Sequence, residues 1–429
     1  MPILKRTSLL RLSLSSIRFI SSSSSVYSFG DSSNGALGLS SPLLDAYEPT
    51  KIPNLPVAAS HYHSLAVTTD SEVWAWGRNV EGQLGRGANS PSRETWGQPT
   101  RVEGLGHVTA QTAFASGVVS SAIGDDGSLW VWGRSKRGQL GLGKGVIEAI
   151  KPSKVEALSD HKIVKVSFGW GHALALTRDG KLFGWGYCKD GRLGEMGQAL
   201  CQPSENVPSA DWSLDKSSML EIAARHVELK IKEEENMPII WEPQFVEEFS
   251  SLRVSDIACG LDHSLFISCK NTLLSCGDNT YSQLGRNTEG SKILPVNINS
   301  QPLSLSTGLG HCLSICQTRS NSSTEDSTRV FSWGWNQSSQ LGRRGPEEIP
   351  AIIESLEDES IVSVSAGRVH SLALTSKGDL WAWGSGRNGR LGLGSSMDEE
   401  EPALVESLEG LRVLQAVSGF DHNLILVAD

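Results

Sequence analysis

Seven segments of this chain align without a gap. They are VYSFGDSSNGALG (26–38), VWAWGRNVEGQLG (73–85), LWVWGRSKRGQLG (129–141), LFGWGYCKDGRLG (182–194), LLSCGDNTYSQLG (273–285), VFSWGWNQSSQLG (330–342) and LWAWGSGRNGRLG (380–392). In each copy an alternating strand ends in glycine: Gly30, Gly77, Gly133, Gly186, Gly277, Gly334 and Gly384. A Leu-Gly pair follows at a fixed interval. A second signature, roughly Gly-x-x-His-Ser-Leu-Ala-Leu, alternates with the first and places His63, His172, His263, His311, His370 and His422 at one repeat position. Ser120 is read as filling that position in the remaining copy, thirteen residues before Gly133 where His63, His172, His263 and His370 stand fourteen before theirs. Either spacing suits two short antiparallel strands joined by a tight turn.

Repeat length decides the architecture. About 52 residues per unit is the size of a propeller blade, a small twisted sheet that buries both faces on its neighbours. The strand glycines need positive φ or a close backbone approach. The two rings of each Trp-x-Trp strand share a face and pack between blades. The last signature, 419–427, has no strand after it and the first strand, 26–30, has no signature before it. Joining them makes the seventh blade whole. The expectation is an all-β, seven-bladed β-propeller over 26–429, closed by pairing of its N- and C-terminal strands.

Residues 1–25 are a different object. They hold Lys5, Arg6, Arg11 and Arg18, nine serines and no acid, with Leu9, Leu10, Leu12, Leu14, Ile17, Phe19 and Ile20 as apolar content. That is the composition of an organelle transit peptide, mitochondrial first and chloroplast second. The remaining 34 bases face 48 acids, so residues 26–429 carry net −14. A body that acidic has no global attraction for phosphate, and any RNA contact must be local; no DNA partner is expected. No apolar run is long enough to span a membrane. Seven cysteines without a C-x-x-C suggest neither a disulfide framework nor a zinc site.

The paired signatures resemble the regulator-of-chromosome-condensation repeat family, whose members form seven-bladed propellers. Together with the leader, the chain is similar to a plant mitochondrial member of the branch related to the ultraviolet-B photoreceptor. The resemblance tests activities residue by residue. Photoreception in that branch uses repeated Gly-Trp-Arg-His; here only Gly169-Trp170-Gly171-His172 comes near, with Tyr62, Val118, Leu261, Leu309, Arg368 and Phe420 assigned to the tryptophan slot elsewhere. The namesake activity is guanine-nucleotide exchange on a nuclear GTPase, and no residue here maps onto it. Organellar relatives imply a non-enzymatic scaffold for protein partners in transcript maturation, including intron splicing that supports respiratory complex I biogenesis. Direct RNA binding through Arg134, Lys136 and Arg137, and GTPase exchange, are the alternatives.

Motifs that mimic chemistry dissolve into the repeat. Gly138 to Lys144 opens like a phosphate-binding loop but continues with Gly145 in place of Ser or Thr, and Gly384 to Gly389 matches a dinucleotide fingerprint with no helix to follow. The histidines are spread around a ring and read as structural, bonding backbone within each blade. No catalytic, cofactor-binding or metal-ligating residue is assigned. The informative departure is an insertion at about 195–250, since Gly186 to Gly277 is 91 residues where other steps run 47 to 57. Ser218 to Glu221 forms a capping box, and Leu220, Ala223, Ala224, Val227 and Ile231 follow at helical spacing. Such an insertion either caps the propeller or docks a partner, through Trp212, Leu220, Val227, Trp241 and Phe245. Arg319 to Thr328 reads as a hairpin tip.

Overall fold

The computed structural model describes residues 24–39, 45–52, 62–87, 96–200, 236–288, 292–318 and 327–428. These form seven antiparallel sheets in chain order around an axis. Six have four strands. The first blade has three: His63–Val67, Val73–Gly77 and Thr100–Arg101. The third blade typifies the rest, with Ile163–Phe168 innermost, then His172–Thr177 and Leu182–Tyr187, and Ile239–Phe245 outermost. The seventh joins the chain ends. Arg412–Ser418 and His422–Ala428 supply its inner half, and Ser24–Gly30 and Ala46–Lys51 its outer half. Ser24 to Gly30 pair with Ala428 to His422 over their whole length.

Each strand glycine faces the first residue of the preceding strand, as His63↔Gly77 and His370↔Gly384 show. All seven have φ between 97° and 118°. A Cβ on Gly133 would lie 2.2 Å from the carbonyl oxygen of Val118, so both reasons for glycine hold at once. This register corrects the sequence alignment. Val119, not Ser120, stands opposite Gly133 and takes the histidine place in the second blade. The step there is also fourteen, and Ser120 occupies the next position.

The hydrogen bonds of the histidine rings run between blades, and Nδ1 of His172, His263, His311 and His370 bonds no backbone of its own blade. Each ring reaches across to the residue that follows the histidine position in the next blade. His172 Nε2 lies 2.9 Å from Ser264 Oγ, His311 Nε2 3.0 Å from Ser371 Oγ, and His370 Nε2 2.8 Å from Asn423 Oδ1. His63 meets Ser120 at 2.6 Å, and His422 meets Ser64 at 3.3 Å, completing the link across the seam. The acceptor side is fixed by what those groups do with their own hydrogens. Ser264 Oγ donates to Arg192 O, Ser371 Oγ to Gln340 O and Asn423 Nδ2 to Arg390 O. The serine oxygen and Asn423 Oδ1 are therefore left to accept, and the imidazoles donate from Nε2.

The carbonyl that ends this relay belongs to the Leu-Gly turn of the previous blade, and it takes a second hydrogen bond. Trp76 Nε1 donates to Ala36 O at 2.9 Å, Trp132 to Gln83 O at 2.8 Å and Trp383 to Gln340 O at 3.0 Å. These indoles, with those of Trp185 and Trp333, are 0 % exposed. Each lies against the glycine of the Leu-Gly pair: a Cβ on Gly342 would come within 2.6 Å of Trp383 Nε1. In the fourth blade Cys276 replaces the indole and in the fifth Cys312 replaces the serine, with sulfur contacts of 3.6 Å to Arg192 O and 3.3 Å to Gln283 O. Cys259, Cys276, Cys312 and Cys316 are buried as expected; Cys269 is exposed.

One link is missing, and it is missing from both sides. Val119 faces an interface where the third blade offers Ala173, without a hydroxyl, and both are 0 % exposed. The glycine three residues before the histidine is replaced as well, by Ser116. His63 follows Ser60 at that spacing, but before His172, His263, His311 and His370 the position is glycine with the ring packed on it: a Cβ on Gly169 would sit 2.2 Å from His172 Cε1. Three positions change together, which removes a polar group without orphaning its partner.

The insertion is shorter than 195–250. Ile239–Phe245 is the outer strand of the third blade, in register with Phe183 through Tyr187, and Glu247–Phe249 is a 3-10 turn. Trp241 and Phe245 are therefore blade residues and not part of a free arm; Phe245 stacks edge-on to Phe183 at 5.9 Å. Trp212, Leu220, Val227 and the capping box at Ser218 lie outside the described residues.

Val119→His alone should lower stability by about 1–3 kcal/mol or more, because it buries an imidazole against Ala173 and crowds Ser116. Adding Ser116→Gly and Ala173→Ser should recover most of that loss in urea denaturation. Strictly additive costs across the three changes would contradict the relay. The relay also sets an acid limit. Burial pushes the His263 imidazole down to about 4 and those of His311 and His370 to about 3, and holds His172 well below the ordinary range. The unfolded chain takes up these protons near 6.5 and the folded one does not, so stability is full above pH 6.5 and falls as pH drops towards 3 to 4. Denaturation midpoints should decline steadily from pH 6.5 to 4.5, and His311→Gln should reduce the slope by about one proton. A flat profile would refute neutral burial.

Candidate binding face

The inner strands line an axial channel whose cavity is ≈ 120 Å³. Its wall is stitched blade to blade. Cys259 N donates to Ser167 Oγ, Ala366 N to Ser306 Oγ and Ser418 N to Ser365 Oγ, at 2.8 to 3.0 Å. Lys165 and Asp256 pair within it at 2.5 Å.

At one end each inner strand turns through the Gly-x-x-His signature, so two residues per blade ring the mouth. The corrected register assigns Gly117, Trp170, Leu261, Leu309, Arg368 and Phe420 to the tryptophan slot; Tyr62 and Val118 belong to the position beside the histidine place. Backbone bonds knit part of this ring, from Trp170 N to Leu261 O, Leu261 N to Leu309 O and Arg368 N to Phe420 O. The third strands end on the same side, so the chain leaving Tyr187 towards 201–235 emerges here too.

This face is rich in paired arginines and aromatics. Arg137 lies 5.8 Å from the Trp170 ring centroid, Arg78 5.4 Å from Tyr62 and Arg368 4.9 Å from Phe420, all within cation–π range. Trp170 is 43 % exposed and Tyr281 45 %, the latter 5.5 Å from Trp335. Arg134, Lys136 and Lys144 are exposed in the stretch of chain that carries Arg137.

Ion pairs around two partly buried aspartates brace the mouth. Where the Leu-Gly turn reads Gly-Arg-Leu-Gly, at Arg192 and Arg390, the next blade carries an aspartate just before its histidine, at Asp262 and Asp421. Arg192 contacts Asp262 across the interface, and Arg390 and Arg368 reach Asp421 at 2.8 and 2.9 Å. Burial raises both carboxyls, against the pull of the arginines. Where the turn carries glutamine, at Gln83, Gln139, Gln283 and Gln340, the matching positions are Val118, Gly171, Gly310 and Val369. This covariation is legible in the sequence alone, and a search confined to single motifs passes over it.

The geometry suits recognition by stacking and charge. The six histidines sit one to a blade, each committed to the neighbouring blade, and do not converge. Gly138 to Gly141 and Arg387 to Gly389 are tight turns of the repeat. Among the described residues no group of three His, Cys, Asp or Glu side chains is placed to hold a metal ion.

The RCC1-like domain family matches residues 25–425. The Ultraviolet-B receptor UVR8 of Arabidopsis thaliana is 28 % identical over 396 residues, spanning 89 % of this chain and 78 % of the receptor. The human E3 ubiquitin-protein ligase HERC2 is 28 % identical over 367 residues, 84 % of this chain but 7 % of that much longer protein. Prp20p from Saccharomyces cerevisiae, whose structure was solved with study of its binding to Gsp1p and histones, superimposes with a TM-score of 0.74 at 21 % identity, covering 96 % of this chain and 93 % of Prp20p. With one contiguous match from the closing strand to the last, and seven blades in the register that the match requires, the chain belongs to the RCC1-like domain family.

Proposed function

We propose that this propeller is a non-enzymatic mitochondrial scaffold that holds protein partners, supporting organellar transcript maturation such as intron splicing and, through it, respiratory complex I biogenesis. The observation that carries the scaffold reading is the channel mouth, where Trp170 is left exposed beside Arg137 and Tyr281 beside Trp335 in a fold that buries five other tryptophans completely. Exposed aromatics and arginines are the residues that dominate binding energy at protein interfaces. The acid-free leader supports the mitochondrial address. Prp20p, a propeller of the same fold, was solved with attention to its binding of Gsp1p and histones, which fits a protein-binding role for the fold.

Direct contact with RNA is the second reading, favoured by Arg137 against Trp170 and by the exposed Arg134, Lys136 and Lys144 close to Arg137 in sequence. Cations flanking a stackable ring are the elements of single-strand recognition.

Residues 1–25 fused to a fluorescent protein should direct it to mitochondria, and Arg11→Glu with Arg18→Glu should abolish that; import into chloroplasts or a cytosolic signal would overturn the address. Capture of partners from organelles should fall about tenfold or more with Trp170→Ala, a loss of at least ~1.4 kcal/mol at a binding hot spot. Capture unchanged by Trp170→Ala but lost on removal of 201–235 would move the docking site to the insertion. In the RNA reading, purified protein shifts single-stranded RNA at low salt and Lys136→Glu weakens it. Acceleration of guanine-nucleotide release from an organelle GTPase would replace the scaffold reading with an exchange factor.

A further inference from the structure

The opposite end of the propeller has different chemistry. Near that end the register slips by one residue in each of the six described inner strands, at Gln111, Val164, Ser255, Leu303, Val362 and Leu414. A bulge re-aims the extra side chain. In the sixth and seventh blades the result is an exposed apolar cluster, with Val362 42 %, Leu414 44 % and neighbouring Leu411 37 % exposed. The connections that flank it are acidic: Glu354, Glu357, Asp358 and Glu359 lead into the sixth blade, and Glu406 and Glu409 into the seventh. Among the described residues only Glu357 of these six forms an ion pair, with Arg329 at 2.9 Å. Lys377 and Arg412 are the bases at this corner.

The leader joins the molecule here. Ser24 pairs with Ala428, which pairs with Arg412, so residues 1–23 attach two strand spacings, about 10 Å, from the inner strand that carries Leu414. Lys5, Arg6, Arg11 and Arg18, with no acid and ten large apolar residues, complement the patch in charge and in apolar content. We propose that in the full-length chain residues 1–23 dock in cis on the surface formed by Val362, Leu411 and Leu414 and the acids around them. A tether this short gives an effective concentration in the millimolar range, so a contact too weak to join separate molecules is populated within one chain. Cleavage before the closing strand removes the segment and uncovers the patch, leaving the ring seal of Ser24 to Gly30 intact. The surface lies at the far end from the channel mouth of Trp170, so neither assignment rests on the other.

The test uses the full-length chain with a protease site introduced between Ser23 and Ser24, followed by amide hydrogen exchange before and after cutting. Exchange in 353–362 and 405–414 should be slower by about threefold or more in the intact protein. The difference should vanish on cleavage and in about 1 M salt, where the screening length is about 3 Å. Arg11→Glu with Arg18→Glu in the leader, or Glu354→Lys with Glu406→Lys on the patch, should each remove it in the intact chain. Exchange indifferent to cleavage, or protection confined to the other end of the propeller, would overturn the docking. Protection that grows with protein concentration would overturn the cis arrangement in favour of a second copy.

Discussion

A carbonyl oxygen has two lone pairs, and at most joints of this propeller the next blade fills both. The carbonyl in the Leu-Gly turn receives an indole N–H and a serine O–H, and the serine receives an imidazole N–H from the blade it has just contacted. The apolar layers between blades supply most of the burial, but apolar layers slide. Directional bonds inside them fix the angle at which one sheet meets the next, and each is costly to leave half made. That asymmetry explains why deviations from the repeat arrive in matched sets. Val119 comes with Ala173 and Ser116, and Arg192 and Arg390 come with Asp262 and Asp421.

Closure follows from the same interaction. The seventh blade is built from both ends of the chain, yet its turn carbonyl at Ala36 takes the Trp76 indole and the Ser64 hydroxyl like any other, and His422 completes the relay to Ser64. Phe29 fills the indole place in that blade, lying against Gly392. The seam is thus bonded in the same manner as the interior joints, and seven backbone pairs from Ser24 to Gly30 add a strand interface on top.

The sequence made the blade count, the closing strand and the reason for the strand glycines legible, because each is imposed by backbone geometry and recurs seven times. Less legible was anything that depends on what a side chain meets. Ser120 was misassigned because a hydroxyl next to the histidine place looks like a substitute for it; only the pairing of Val119 with Gly133 separates the two positions. The histidines were read as bonding backbone within a blade, since nothing local shows that their partners lie a whole repeat further on. Trp241 and Phe245 looked like part of an insertion because outer strands are short, irregular and without a signature. The bulges that expose Val362 and Leu414 leave no mark in composition, because alternation simply slips by one residue.

Conserving the framework in this way confines variation to the two ends of the barrel-like stack, and there departures from the expected economy carry information. Five tryptophans are fully enclosed and bonded through their indole nitrogens; Trp130, partly exposed, still donates to Ser128. Trp170 shows 43 % of its surface with an arginine set against its ring, on a turn where sister blades carry leucine, arginine, glycine or the well-buried Phe420. The fold gains nothing from a large aromatic there, because Leu261 and Leu309 make the same backbone links around the mouth. A side chain whose burial is incomplete and whose framework role a smaller residue can fill is explained by what it contacts outside the molecule. At the other end the exposed residues are aliphatic and the surrounding charge is negative. The two ends are therefore addressed to different chemistry, aromatic and cationic at one, aliphatic and anionic at the other, by a ring that is otherwise the same unit repeated.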